Sequence, residues 1–541
     1  MNRRVIQGVA LAVGLGGLGL AAAVRADPPP TSFRWRTVVN DADLIPGLTK
    51  VFNSYNQPSV NEDALVVFRA RGKGPGEPPH GIFTRDMAQA SNSILKVADR
   101  STLVPQPNNQ GATFIEFPSF PRIDRDSDAV AFRGNSQPVY RASPESELAG
   151  TTGVFSTPGG VLVTGASNLG DVPGFDRFAV PGVEPALAFD VFPGAPSITD
   201  GITLVFKGNY TQDGVSKTGV YYRDLRPAAA GGPASIQLLA NNSDTAIPGT
   251  DPAVVFGSVS PPSAANGTAV FSGFDDENAP TVGGIYRVPL SPEPGLRPLV
   301  EIGGPVPDWR GLSTGETFTL LGEGVSYDGR FVGFWAAWGG ETRPVVVHCP
   351  AEGNKLRQAY CLSLCPEPAG CTFQVPVHQG IFVQDTELHR TFRAAETGAR
   401  FQDFLFWNFS GKVPGQQGDD EGEPARWRSS AFVAVDGRAG ATFQAAFKGS
   451  LTDGTTSGIY LSSGPGRALL DPVTVVDTTL DGAVLDPQAA GTLITVVGLE
   501  RDGFRGGNLT INASMGSEET GWAGIYLTRV PQPAGERERE R

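Results

Sequence analysis

The sequence has few of the side chains that carry most enzyme chemistry. Only four cysteines and four histidines occur among 541 residues. No serine nucleophile elbow, zinc-protease helix or glycine-rich phosphate loop is present. These absences remove the common signatures of a serine hydrolase, a zinc protease and a nucleotide-binding enzyme. The sequence therefore assigns no catalytic residue, no metal ligand and no cofactor-binding residue.

Long apolar segments are missing except at the N-terminus. There, Arg3 and Arg4 precede an almost uncharged run from Val5 to Val24, and Val24-Arg25-Ala26 supplies small residues at the positions that a signal peptidase reads. We expect residues 1–26 to be a cleaved signal peptide. A retained membrane anchor is the alternative, because a run of about 20 residues can span a bilayer. The expected location is periplasmic or extracellular, with no membrane span after cleavage.

Positive charge is also scarce. Lys and Arg number 43 against 56 Asp and Glu, which gives a net charge of −13 at pH 7, and cleavage after residue 26 would lower it to −16 by removing three arginines. Such a chain is poorly suited to binding nucleic acid or anionic lipid. The expected partner is a protein or a glycan. The alternating charges at the C-terminus predict a disordered tail over residues 531–541.

Turn residues, by contrast, are abundant. The 69 glycines and 45 prolines separate short runs rich in Val, Phe, Ile and Thr. This punctuation is typical of many short strands. Beyond the N-terminus no long stretch has apolar residues at helical spacing. The sequence therefore predicts an all-β protein.

A unit of about 64 residues recurs seven times. Each copy contains a strand that ends in Phe or a similar residue after a Gly, Asn or Asp turn. These anchor residues are Phe68, Phe132, Phe206, Phe271, Phe334, Phe447 and Ile511. Successive anchors are 64, 74, 65, 63, 113 and 64 residues apart. One period is therefore repeated, with a single large insertion in the fifth unit.

A second strand that begins with Gly follows each anchor, as in "GIF" at 81–83 and "GIY" at 458–460. A glycine at this point predicts either a positive φ or a close approach of two backbones. In most units a further segment follows, such as "LLANNSDTAIPG" at 238–249. The similar stretch "TVVNDADLIPG" at 37–47 has no unit before it, and the last unit, which ends soon after 524–530, lacks that segment.

The two incomplete ends predict a closed ring. If the N-terminal half-unit pairs with the C-terminal one, the ring has no free sheet edge. We therefore expect a single β-propeller of about seven four-stranded blades over residues 27–530, closed by pairing of the N- and C-terminal half-repeats. Six blades and a linear β-solenoid are the alternatives.

The first unit contains Asn61, Ala64, Val67 and Phe68. It resembles the tandem Asn-x-x-Gly-x-x-Ala-Phe repeats of a group of exported bacterial proteins, with Ala in place of Gly and Val in place of Ala. The other units match this pattern only in part. The resemblance implies an exported, propeller-like protein, and it implies no enzymatic activity.

All four cysteines fall within the insertion of the fifth unit, at about 339–379. They are Cys349, Cys361, Cys365 and Cys371. Their spacing differs from the paired C-x2-C pattern of zinc ribbons. In an oxidising compartment they are expected to form two disulfides, with three connectivities open. A metal site that also uses His348 or His378 is the alternative.

Two further features are candidates for ligand binding. Trp335 and Trp338 lie in the irregular fifth unit, where they are ligand-contact candidates for a sugar ring or a protein; burial inside a wide blade is the alternative. Acidic loops recur at 209–219, 273–283 and 449–458. Clustered carboxylates suit Ca²⁺, and ordinary Asp-Gly hairpin turns are the alternative.

Together these observations predict an exported, non-enzymatic binding or surface-interaction protein of unknown ligand. The alternative is a secreted polysaccharide hydrolase or lyase on the same scaffold. That enzyme would need two carboxylates that converge in a pocket. Loops of different blades meet only in the folded chain, so sequence repeats do not identify such a pair.

Overall fold

The computed structural model describes residues 33–72, 78–89, 92–105, 111–141, 148–169, 178–226, 234–351, 354–411, 413–414, 424–438, 442–464, 472–517 and 521–531. The predicted signal peptide, and the predicted tail apart from Pro531, lie outside these residues.

Seven antiparallel sheets follow one another along the chain as the blades of a ring. Blade 1 follows β1 (Trp35–Asn40) and comprises β2 (Phe52–Tyr55), β3 (Ser59–Val60), β4 (Leu65–Gly72), β5 (His80–Asp86) and β6 (Leu95–Asp99). Blade 2 comprises β7 (Phe114–Glu116), β8 (Arg122–Ile123), β9 (Val130–Ser136), a side hairpin of β10 (Tyr140–Arg141) and β11 (Leu148–Ala149), β12 (Thr152–Ser156) and β13 (Val163–Ser167). Blade 3 comprises β14 (Ser197–Thr199), β15 (Thr203–Gln212), β16 (Val215–Asp224) and β17 (Gln237–Asn241).

The remaining four blades contain the irregular part of the chain. Blade 4 comprises β18 (Ser258–Val259), β19 (Ser263–Ala265), β20 (Thr268–Phe274), β21 (Gly283–Pro289) and β22 (Arg297–Glu301), and blade 5 comprises β23 (Pro305–Pro307), β24 (Ser313–Leu321), β25 (Ser326–Tyr327), β26 (Phe331–Val347), β27 (Cys371–Asp385) and β28 (Arg390–Glu396). Blade 6 comprises β29 (Phe401–Asp403), a side hairpin of β30 (Phe406–Ser410) and β31 (Arg426–Ser430), β32 (Val433–Arg438), β33 (Thr442–Leu451), β34 (Ser457–Gly464) and β35 (Val473–Asp477). Blade 7 comprises β36 (Ile494–Gly498), β37 (Phe504–Arg505), β38 (Asn508–Met515) and β39 (Trp522–Arg529). The one α-helix of the described residues, α1 (Lys355–Leu364), joins β26 to β27. Short 3-10 turns occupy Pro158–Gly160, Gly482–Val484 and Pro487–Ala489.

Each blade is buried on both of its faces. The second strand of blade 4, β20, has every residue buried, and β12 of blade 2 is the same. A strand covered on both sides cannot alternate apolar and polar residues, so it reads as a continuous apolar run. This accounts for segments such as "TAVF" and "GVF" in the sequence.

An aromatic cluster holds the centre of six blades together. The predicted anchor in the second strand pairs directly with the aromatic residue of the "GIF" or "GIY" strand, as Phe68 does with Phe83. A third aromatic from the first strand or the loop before it, Phe52 in blade 1, meets that ring edge-on. Across the six blades this edge-on pair has centroids 4.8–5.3 Å apart at 80–89°, which is the favourable geometry for two rings. In blade 7, Ile494 and Ile511 replace two of the three aromatics and are equally buried.

The repeated glycine at the start of the third strand is required by space. A Cβ atom on Gly284 would lie 2.1 Å from the Val300 carbonyl oxygen of the outer strand, and one on Gly81 would lie 2.5 Å from that of Ala98. The expected close approach is therefore confirmed, whereas the expected positive φ is wrong, since neither glycine has it. The outer strand has a register shift next to this contact in all seven blades, and such a bulge increases its twist.

The ring closes through its first and last strands. β1 pairs antiparallel with β39, so that Asn40 lies opposite Gly524 and Trp35 opposite Thr528. Blade 7 thus has the order β36-β38-β39-β1. The short inner strands β3, β8, β14, β19, β25, β32 and β37 each contact those of the two adjacent blades, including β3 with β37. The predicted seven-bladed propeller and its closure by the two chain ends are confirmed.

The long spacing before the sixth anchor has two sources. One is the predicted insertion, in which the outer halves of β26 and β27 extend beyond blade 5 and are joined by α1. The other is the hairpin β30–β31, which interrupts the innermost strand of blade 6 between β29 and β32. The sequence analysis did not predict this second insertion.

We expect a chain that begins at residue 41, and so lacks β1, to lose cooperative folding and to associate. Removing β1 opens an edge on β39 and removes Val38 and Val39, both fully buried, whose burial is worth about 3–6 kcal/mol. Thermal denaturation and size-exclusion chromatography test this. The control lacks residues 532–541 and should match the full chain. A truncated chain with an unchanged melting temperature would contradict the closure.

Candidate functional site

The axis of the ring is lined by the short inner strands. In four blades they place serine at the same position, and two of these hydroxyls donate to the next blade: Ser59 Oγ to Pro121 O at 3.1 Å and Ser197 Oγ to Pro262 O at 2.9 Å. In blade 2 this position holds Arg122 instead, on β8. A side chain as long as arginine must extend into the axis from there.

Arg122 connects blades that are not neighbours. Its Nε donates to Glu500 Oε1 of blade 7 at 2.9 Å, and its Nη1 donates to Ser197 Oγ of blade 3 at 2.8 Å and to Pro262 O of blade 4 at 2.9 Å. Asp502 Oδ2 lies 3.5 Å from its Nε. Only a group near the axis can reach three such blades. The guanidinium is 1% exposed, so it blocks the middle of the channel.

A second arginine completes the block from blade 7. Arg505 donates from Nη2 to Asp502 Oδ1 at 2.6 Å and to Tyr327 O at 3.0 Å, and from Nη1 to Val435 O at 2.8 Å. Blades 5 and 6 are joined to the same network in this way. The axis therefore carries a buried ion network instead of an open channel.

Opposite charges lie next to one another in this network. Burial by itself would raise the pKa of Glu500, but the nearby guanidinium of Arg122, and then that of Arg501, outweigh it and hold the pKa below its usual range. Burial, followed by repulsion from Arg122, lowers the pKa of Arg501 to about 10. Glu500 is thus an ionised acceptor at neutral pH. A carboxylate held in that state by arginines is unsuited to general acid–base catalysis.

Tight turns close one end of the axis. At the ends of the first strands of blades 2, 5 and 6, carboxylates accept from backbone amides of the next blade. Gly201 N donates to Asp124 Oδ2 at 2.7 Å, and Gly506 N donates to Asp436 Oδ1 at 2.9 Å. Arg125 and Glu62 form an ion pair across the same end at 2.5 Å. We call this the turn end of the ring, and the opposite end the loop end.

The two insertions meet at the loop end and form what we call the cap: the outer halves of β26 and β27, α1, β30 and β31. Phe373 of β27 stacks on Trp407 of β30 with ring centroids 4.5 Å apart. Cys361 of α1, Phe409 of β30 and Ala425 form a buried cluster of their own. The cap is therefore a packed unit with a small apolar core, and it rests on blades 5 and 6.

Two disulfides fix the cap. Cys349 is bonded to Cys361 and Cys365 to Cys371, with Cα atoms 5.9 and 4.9 Å apart. This selects one of the three connectivities left open by the sequence. Trp427 of β31 donates from Nε1 to Cys365 Sγ at 3.4 Å, so the hairpin packs directly on the second disulfide. Such a pair indicates a non-reducing environment.

The sulfur atoms of Cys349, Cys361 and Cys365 lie within 4.8 Å of one another, the one grouping of metal-ligating atoms found in the described part of the chain. Sulfurs bonded in disulfides are not thiolates and do not bind zinc. His348 does not join them, since its Nδ1 lies 2.8 Å from Glu367 Oε2.

The two tryptophans singled out as ligand contacts are buried. Trp335 is 6% and Trp338 3% exposed. Trp335 Nε1 donates to Gln379 Oε1 at 3.2 Å, and Trp338 stacks on His378 with centroids 6.0 Å apart. Burial within a wide blade was the alternative interpretation, and it leaves neither indole an open face for a sugar ring.

Asp275 and Asp453 of the acidic loops accept hydrogen bonds within their own turns, whereas Glu277 pairs with Arg426 of the cap. Asp213 and Gly214 close the β15–β16 hairpin, both with positive φ, as in a two-residue turn. Asp453 accepts from Thr456 Oγ1, Thr456 N and Thr455 N, and these bonds lower its pKa to about 2. Calcium binding by the loops stays a prediction.

The sequence analysis missed the axial network, although a signal was present. Arg122 stands in a repeat position that holds serine in four other blades, and "ERD" at 500–502 places three charges in the turn just before the inner strand β37. A charge in such a position must find a partner across the axis. Comparing the units column by column would have shown both departures.

No protein-family model matches the chain, and no curated protein sequence matches it. The resemblance to Asn-x-x-Gly-x-x-Ala-Phe repeat proteins therefore stays a prediction. Among solved structures, an oligogalacturonate lyase in complex with manganese aligns over 93% of this chain and 97% of its own, with 11% identity and a TM-score of 0.39. Similarity at that level says nothing about the ligand or the chemistry of this chain.

Arg122→Met should destabilise the ring strongly, because it leaves Glu500 and Asp502 buried with one arginine fewer. Breaking a buried pair in this way costs about 3–5 kcal/mol, measured as the free energy of unfolding in urea. Arg226→Met is the control, since its pair with Asp224 is exposed and should contribute under about 1 kcal/mol. Equal effects of the two substitutions would contradict the axial role.

Reduction of the disulfides should loosen the cap and leave the ring intact. Each bond closes a short loop, and its loss costs about 2–3 kcal/mol confined to the cap. We expect dithiothreitol to expose the segment between Cys349 and Cys371 to trypsin, with an unchanged β circular dichroism signal. Loss of that signal on reduction would show that the cap is needed by the ring.

Proposed function

We propose that this chain is an exported, non-enzymatic binding protein that holds its ligand at the loop end, beside the cap. The observation that carries this proposal is the axial ion network. The two carboxylates that converge at the axis, Glu500 and Asp502, are buried and bonded to arginines. A hydrolase or lyase would need such a pair to be accessible to substrate.

The cap supplies surface suited to recognition. Three leucines of α1 and one valine of β26 are about half exposed: Leu356, Leu362, Leu364 and Val346. Apolar side chains grouped on one exposed element are a common feature of interaction sites. The disulfides hold these side chains in fixed positions, which reduces the entropy lost on binding.

Export is supported by two independent features. The two disulfides fit an oxidising compartment, and residues 1–26 have the pattern of a signal peptide. Within the described residues, no helix is long and apolar enough to cross a bilayer. With 56 acidic against 43 basic residues, the partner is a protein or a glycan, not a nucleic acid.

The first experiment is a thermal-shift screen of the mature chain against polysaccharides, with released fragments measured in the same samples. A ligand of the folded state should raise the melting temperature with concentration, and no fragments should appear. Leu356→Asp with Leu364→Asp should weaken that binding at least tenfold. Leu95→Asp, an exposed leucine on the outer strand β6, is the control.

Release of fragments by the purified chain would contradict the proposal and revive the enzyme alternative. If no polysaccharide binds, the glycan class is excluded for the tested set, and the remaining candidate for the capped face is a protein.

A further inference from the structure

A cleft of about 980 Å³ lies between blades 7 and 1 at the turn end of the ring. One wall is the face of β1 and β39 that is turned toward blade 1. The other wall comprises the blade 1 segments 62–64 and 87–88. A volume of this size is near the upper limit for small-molecule sites. The cleft lies at the opposite end of the ring from the cap, so it is separate from the proposed loop-end site.

Three arginines share the wall formed by β1 and β39. Arg36 lies opposite Leu527 in the paired strands, and Leu527 packs in a buried cluster with residues of blade 1. Arg34 and Arg529 are each two residues from this pair, so their side chains are on the same face. Thr528 Oγ1 donates to Arg34 O at 2.9 Å. Continued by one residue, the strand register therefore places Arg34 beside Arg529.

These three cations have no counter-ion. Among the described residues, none of the three forms an ion pair, and Arg34 and Arg529 donate no side-chain hydrogen bond. Arg36 donates from Nη1 to Met87 O, which holds it against blade 1. Like charges on neighbouring positions of a strand pair repel one another. The wall is therefore a cluster of guanidinium groups without the anions that would offset this repulsion.

The two carboxylates that line the cleft lie on the opposite wall. Glu62 is already bonded to Arg125, whose Nε donates to Glu62 Oε1 at 2.8 Å. Asp63 is exposed and pairs with none of the three arginines. Arg125 has a second acidic neighbour, Asp126, at 3.9 Å, so the local excess of positive charge is small. The important feature is the placement, since the unpaired guanidinium groups share one wall.

We propose that this cleft is a second binding site, which takes a small ligand with at least two oxyanion groups, whether carboxylate, sulfate or phosphate. Arginines two residues apart on a strand have Cα atoms about 7 Å apart, and arginines on opposite strands about 5 Å. Two oxyanions of one ligand can therefore each pair with a guanidinium, which binds such groups through two parallel hydrogen bonds. This inference goes beyond the proposed function and does not depend on it.

The test is a thermal-shift titration of the mature chain with citrate, pyrophosphate and sucrose octasulfate, at an ionic strength held constant with chloride. Acetate, phosphate and sulfate are the matching ligands with a single group. At least one ligand with several groups should raise the melting temperature by about 2–3 °C at a hundredfold excess over its Kd. Its single-group counterpart should bind at least tenfold more weakly.

Arg34→Met combined with Arg529→Met should abolish the shift. Without ligand this double variant should melt no lower than wild type, because it removes two like charges from one face. Arg297→Met is the matched control and should keep the shift. Arg297 is likewise exposed on an outer strand, β22 of blade 4, and is unpaired among the described residues.

A shift that the double variant loses supports the inference, and the ligand that causes it identifies the group as carboxylate, phosphate or sulfate. The inference is overturned if no ligand stabilises the wild type, if the double variant responds equally, or if the single-group ligands bind as tightly. It is also overturned if binding appears only after residues 532–541 are removed. The occupant would then be the end of this chain, which follows Pro531 of the cleft. The polysaccharide screen decides the proposed function separately.

Discussion

The aromatic cluster at the centre of six of the seven blades is the interaction on which the rest of the molecule depends. In six blades three rings from the first three strands meet edge-on and side by side, and all are buried. Such a cluster fixes the register of the strands and gives each sheet a thick, apolar middle. A sheet that is apolar on both faces must be covered on both of them, and here the two neighbouring blades provide that cover. The ring follows, because it gives every blade two neighbours.

Closing the ring brings seven inner strands to one axis, where polar and charged side chains are removed from water and need partners. Four blades place serine there, and in two of them the hydroxyl donates to the next blade. Arg122 and the segment 500–502 instead form a buried ion network that joins blades 2, 3, 4 and 7. Replacing a buried ion network of this kind with apolar packing is often neutral or stabilising, whereas removing one of its partners is costly. The network also closes the channel, so that ligand recognition is left to the surfaces outside it.

Much of the architecture could be predicted because it is repeated. The seven anchors, the glycine-led strands and the incomplete halves at the two chain ends each recur or complement one another in the sequence, and the structure confirms the ring that they predict. The first-strand aromatics, such as Phe52, were missed because their distance from the anchor varies between units. The cap was predicted only in part: residues 339–379 were recognised by their cysteines, whereas β30–β31 carries no such mark. The axis could not be predicted at all, since Arg122 and Glu500 are 378 residues apart and meet only in the closed ring.

The closure of blade 7 also sets the order of events in folding. β1 and its partner β39 lie at opposite ends of the described chain. β1 therefore cannot pair until nearly all of the blades have been synthesised. Contacts between such distant segments slow folding, and until they form, the edge of β39 can recruit another chain. If the chain is exported unfolded and N-terminus first, as the proposed function implies, β1 has no partner throughout the passage. The ring would then be completed only after the whole chain has crossed the membrane.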